Sequence, residues 1–121
     1  MTMTTTERPA AGWAATAKQQ EMARQARALH EQWLTMIGSG RVTAEGAASV
    51  LRHIAARCEE LRGELDRQSI STEDHNDQRF VMVMAMRRLI DGGGEERASR
   101  MLAREMHDLF IDSPPLPHPQ Y

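Results

Sequence analysis

The side chains best equipped for chemistry are five histidines, His30, His53, His75, His107 and His118, and a single cysteine, Cys58. A helical metal site sets a histidine one turn away from a carboxylate or a second histidine, as in Glu-x-x-His. None of the five has Asp, Glu or His three or four residues before it, and Ser71 and Thr72 stand in those places ahead of His75. Asp108 is adjacent to His107 and so points to a different side of a helix. Surface or partly buried histidines are therefore expected, with no metal and no cofactor. Cys58 and His53 could form a thiol and its base, but five helical residues turn their side chains apart by about 140°. Cys58 also falls within an apolar seam, where a small buried thiol is a normal occupant. No GxSxG, no P-loop and no GxGxxG after a strand occurs. The chain reads as a non-enzyme with no catalytic residue.

Two further patterns could carry binding chemistry. Gly92-Gly93-Gly94 precedes a helix start and could cradle an anion. Glu95 and Glu96 follow at once and would repel phosphate, so a flexible connector is expected there. Arg97, Arg100 and Arg104 recur at helical spacing and could face DNA. Acidic residues are interleaved with them, Glu96 to Arg100 is a favourable helical pair, and a solvated charged face fits better. The stretch GRVTAEGAASVLRHI has a faint helix-turn-helix flavour, but its seam of core residues leaves few positions to read bases.

The elements that position these residues are helices. Met22, Ala26, Leu29, Trp33 and Met36 are spaced 4, 3, 4, 3, the seam of a helix packed lengthwise on another. Helix formers dominate from Gly12 to Ile37, and Gly38 suits the left-handed position that ends a helix. Thr43 is a candidate N-cap for a second helix over 44–68, with the seam Ala47, Leu51, Ile54, Cys58, Leu61 and Leu65. The short connection makes these two an antiparallel hairpin. Ser71, with Asp74 three residues on, caps a third helix over 72–91. A fourth opens at Glu95 and Glu96 and ends at Pro114 and Pro115. Trp33 belongs to the core; Trp13 either clamps a later helix or contacts a partner. The expected organisation is a disordered segment 1–10, one helical domain over 11–112 and a Pro-rich tail 113–121. The fold class is all-α, a helical bundle built on the long hairpin plus two shorter helices.

Length and composition agree. The 121 residues suit one domain, 40% are hydrophobic, and mean hydropathy is −0.56. No apolar run is long enough to span a membrane and no secretory signal opens the chain, so a cytoplasmic location is expected. One cysteine implies no internal disulfide. The formal net charge is −2 and no segment is strongly basic, which weighs against nucleic acid as partner. Alanine is abundant and Lys18 is the only lysine among fifteen basic residues, as in a GC-rich bacterial genome.

One stretch does not fit a plain bundle. Phe80 to Met86 is seven apolar residues in a row, with Arg79 before it and Arg87-Arg88 after it. On a helix such a run covers every side, whereas a bundle helix in a small protein buries about one face in three. Either the chain's own helices enclose it, or it is a docking or dimer surface, or it is a buried strand with no second strand in sight. The second reading is preferred, because three methionines within five residues can repack against an irregular target. The candidate partner-binding or dimer residues are Phe80, Met82, Val83, Met84 and Met86, rimmed by Arg79, Arg87 and Arg88.

A long helical hairpin, a Met-rich apolar helix and an acidic, cysteine-poor chain of this length together resemble the small all-helical anti-activators of bacterial quorum sensing, of the QslA and TraM kind. The resemblance lies in architecture and composition across most of the chain, not in a signature motif, so it assigns no residue a role. It implies a regulator that sequesters a LuxR-type transcription factor by covering its dimerisation or DNA-binding surface. Other small helical regulators, phage-encoded inhibitors among them, share these traits. The function expected is thus protein–protein interaction, with another protein, such as a transcription factor, as partner and a homodimer as the assembly. The alternative is a DNA-binding transcriptional regulator using the arginines of the fourth helix.

Overall fold

The computed structural model describes residues 16–38 and 41–112, with side chains through Leu109. The expected disordered segment, Trp13 and the Pro-rich tail lie outside the described residues. Four helices follow in order: α1 (Ala17–Ile37), α2 (Ala44–Asp66), α3 (Thr72–Asp91) and α4 (Glu96–Asp112). The all-α bundle expected from the sequence is what forms. Local chemistry sets the boundaries. Thr43 Oγ1 accepts the Gly46 N–H at 3.0 Å and Ser71 Oγ accepts the Asp74 N–H at 3.0 Å. Gly38 ends α1 with φ 76°, a left-handed cap open to glycine without strain. α1 is capped at Thr16, later than expected. Thr16 accepts the Gln19 N–H while the Gln19 side chain accepts the Thr16 N–H, so two orphan donors are satisfied reciprocally.

Cross-chain bonds fix the topology. Lys18 pairs with Glu73 and Asp77 at the start of α3, and Gln78 donates to Gln25 at 3.1 Å, so α1 and α3 run parallel. The Arg79 guanidinium donates to the Leu109 carbonyl near the end of α4, so α3 and α4 are antiparallel. Between the α1–α2 and α3–α4 loops, Val42 and Gly94 form an isolated parallel bridge, which sets α2 parallel to α4. The two arms of the hairpin are therefore antiparallel. Their widest contacts lie elsewhere, however: α1 packs chiefly on α3, α2 on α4, and α3 on α4.

The seams differ in detail from the heptad reading. Met22, Ala26 and Trp33 of α1 are buried, but Met36 is 44% exposed and Ile37 is the half-buried residue of the last turn. A straight helix drifts from a strict 3.5-residue repeat, and by the last turn the inward position has passed from 36 to 37. Ile37 lies against Gly46, where an added Cβ would sit 3.0 Å from it. On α2, Val50 is fully buried beside Ala47, Ile54 and Leu61, while Leu51, Cys58 and Leu65 are half-buried. One core joins all four helices, with Trp33, Ile54, Leu61, Met86, Leu89 and Leu102 as its largest enclosed side chains.

Candidate interaction surface

α3 is the central helix, and this decides where its apolar run goes. Val81, Met82, Ala85, Met86 and Leu89 are buried. At 100° per residue they span an arc of about 140°, and α3 packs on α1, α4 and α2. Met82 is 2% exposed and Met86 is fully buried, so neither is a freely presented surface residue. Arg79 is 8% exposed and reaches the Leu109 carbonyl at 3.4 Å, so it is a packed side chain and not part of an open polar rim. The expectation that one chain lacks the helices to cover such a run is corrected here. It took a bundle helix to bury about one face in three, whereas α3 touches all three others.

The rest of the run lies on the outer arc. Phe80, Val83, Met84 and Ile90 are half-buried there, among the exposed Arg87, Arg88 and Asp91. Arg87 Nε approaches Asp91 Oδ1 at 3.3 Å, one turn apart. This arc mixes apolar and charged residues and presents no broad greasy patch.

Where α1 and α2 meet least, the bundle opens into a groove of about 480 Å³. Its floor includes Val81 and Met82, so the apolar run reaches an open cleft there. One wall is Gln25, Ala28, Leu29 and Gln32 of α1, and the other is His53, Arg57 and Glu60 of α2. These recur every three or four residues, one helical stripe per wall. His53 stands edge-on to Trp33, with ring centroids 6.3 Å apart. Sequence reasoning missed this groove, because both seams were assigned to each other. A second cleft of about 400 Å³ lies beside His30, Leu34, Arg88 and Gly93. Burial, together with the Arg88 charge, holds His30 below its ordinary pKa.

The remaining candidates separate. Cys58 and His53 line different clefts, and burial pushes the Cys58 thiol up, away from the reactive thiolate. His107 is exposed and His118 lies outside the described residues. Among the described residues, no group of three or more His, Cys, Asp or Glu is placed to hold a metal ion, and no helix is long and apolar enough to cross a membrane. Arg97, Arg100 and Arg104 are all exposed, and Arg100 pairs with Glu96. The glycine run is more than a connector. Gly94 meets Val42, and the Glu95 carboxylate accepts the Ala44 N–H at 3.1 Å, capping α2 from the opposite loop. No protein-family model, no curated protein and no solved structure matches this chain.

Proposed function

We propose that the chain works by binding another protein, taking an amphipathic helix of its partner into the groove between α1 and α2. The observation that carries this reading is the groove itself, a cleft lined by apolar Val81, Met82 and Leu29 and by polar Gln25, Gln32 and Arg57. That layout suits helix-in-groove recognition, in which the partner's apolar stripe is buried and its flanks meet polar edges. The outer arc of α3, with Val83 and Met84 beside Arg87 and Arg88, is the second surface available, and self-association into a homodimer is its simplest use. In this reading the protein is a non-enzymatic cytoplasmic regulator that sequesters or inhibits its partner. The resemblance to quorum-sensing anti-activators makes a LuxR-type transcription regulator the first partner to try. Ala28 is exposed on the groove wall, so Ala28→Trp fills the groove without disturbing the core. The expected result is a complex with a LuxR-type regulator of the host that Ala28→Trp abolishes at unchanged melting temperature. A complex that survives both Ala28→Trp and Met84→Glu would overturn the reading.

A second reading has an observation of its own, the exposed stripe of Arg97, Arg100 and Arg104 on α4. Were it a DNA face, mobility-shift affinity would fall steeply with salt and vanish in a triple glutamine variant.

A further inference from the structure

The third cleft is unlike the other two. It measures about 260 Å³ and is lined by Ala55, Cys58, Glu59 and Arg62 of α2, His75 and Arg79 of α3, and Glu105 and Leu109 of α4. Each helix contributes one stripe of residues three or four apart, so three faces converge on one space. At its inner side are two polar side chains that are each only 8% exposed, His75 and Arg79. Arg79 is anchored on the Leu109 carbonyl. The His75 ring offers a donor and an acceptor and lines the cleft, and neither of its nitrogens is an enclosed atom lacking a partner. A molecule seated in the cleft can therefore bond to the ring.

The charges around the space come in opposed pairs. Arg62 and Arg79 are cationic; Glu59 and Glu105 are anionic. A simple anion drawn by the guanidiniums would meet two carboxylates, and a simple cation would meet two guanidiniums. Only a molecule with both signs matches the lining. Burial, and then the Asp108 charge, raise the Glu105 pKa, while the Arg79 charge works against them. The volume lies just below the ~300–1,000 Å³ usual for ligand pockets, so only a small molecule fits.

We propose that this cleft binds a small zwitterion of the α-amino-acid class, its carboxylate held by Arg79 and Arg62, its ammonium by Glu105 and Glu59, and His75 bonded to it at the floor. The site is separate from the α1–α2 groove and stands whether or not that groove takes a partner.

The test is a titration of the full chain, labelled at its histidine rings, with glycine, L-alanine and L-serine. Acetate and ethylamine serve as the two single-charge halves. The His75 ring signal is identified by its loss in His75→Gln. The expected result is a saturable shift of that signal by at least one amino acid, with affinity about tenfold or more above either half. Glu105→Gln, at a half-buried position, should keep the melting profile and weaken the amino acid by about tenfold. Equal binding of acetate would make this a simple anion site and overturn the proposal. So would full affinity in Glu105→Gln, or no saturable shift with any amino acid up to about 10 mM, the mark of a solvated cleft.

Discussion

Replacing Gly94 with alanine asks whether the two loops at one end of the bundle are clasped or merely adjacent. A Cβ at Gly94 would stand 2.5 Å from the Val42 carbonyl oxygen and 3.0 Å from the Val42 nitrogen. Both are backbone atoms of a buried residue, so neither can swing aside as a side-chain tip would. The bridge must open. Opening it removes the hydrogen bond from the Glu95 N–H to the Val42 carbonyl, 2.9 Å long, at a cost of about 1 kcal/mol. It also draws the Glu95 carboxylate off the Ala44 N–H, an exposed cap contributing about 0.5–1 kcal/mol. Val42, now 4% exposed, would lose part of its burial, adding about 1 kcal/mol. The total is about 2–4 kcal/mol, which for a domain of this size lowers the melting midpoint by about 10–20 °C. Gly93→Ala is the matched control. It has φ 89° and no atom within 4 Å of its added Cβ, so it carries only the left-handed backbone cost of about 1 kcal/mol. Circular dichroism melts of the three proteins decide the matter. If Gly94→Ala melts no lower than Gly93→Ala, the clasp is refuted.

Two further outcomes follow from the burial pattern. Met86→Glu sets a carboxylate in the apolar core at a fully buried position; its cost of several kcal/mol rivals the ~5–15 kcal/mol that holds a whole domain folded. A denaturant melt should lose its cooperative transition, while Met84→Glu on the outer arc keeps it; a native-like Met86→Glu would contradict the central position of α3. His30 is held below its ordinary value of 6.5 by burial first and the Arg88 charge second. Between 6.5 and that lower folded value the unfolded chain takes up a proton that the folded chain refuses, so the stability is complete above 6.5 and declines as pH falls through this window. His30→Gln should flatten the fall in urea midpoint between about pH 7 and pH 5, and an unchanged slope would count against the burial of this ring.

Much of the local structure was legible because it is written in adjacent residues. Ser71 and Gly92 bracket α3, Thr43 starts α2, and Gly38 stops α1, each through a bond or a backbone angle spanning a few positions. The pairing of helices was not legible in the same way. An apolar seam states that a helix has a neighbour along its length, and it does not say which. α1 lies along α3 partly because Lys18 reaches Glu73, 55 residues away, and no local pattern announces that bond. The apolar run from Phe80 to Met86 stands out in the sequence, and the enclosure of Val81, Met82, Ala85 and Met86 follows from the central place of α3. The amino-acid-sized cleft left almost no trace, since its residues are spread over three helices and join only through the fold.

The hardest residues to place from sequence are the polar ones at the start of α3, where polarity and exposure part company. Asp77 is 7% exposed and meets Lys18 at 2.9 Å on the α1 side. His75 and Arg79, equally buried, turn the other way toward α2 and α4. Two residues along a helix are about 200° apart, so the alternation 75, 77, 79 requires walls on both sides of α3. The same walls that enclose Met82 and Met86 thus enclose these charges, and each must be answered by a partner of fitting chemistry. On the α1 side the answer is Lys18, whose ammonium is pushed up to about 12 by its bonds to Glu73 and then Asp77. On the other side Arg79 has the Leu109 carbonyl, and His75 lines the cleft. The two sides of the helix thus differ. Toward α1, Asp77 is paired with Lys18 through one carboxylate oxygen while the other is buried without a hydrogen bond, and toward α2 and α4 His75 lines the space where a ligand of both charges would fit.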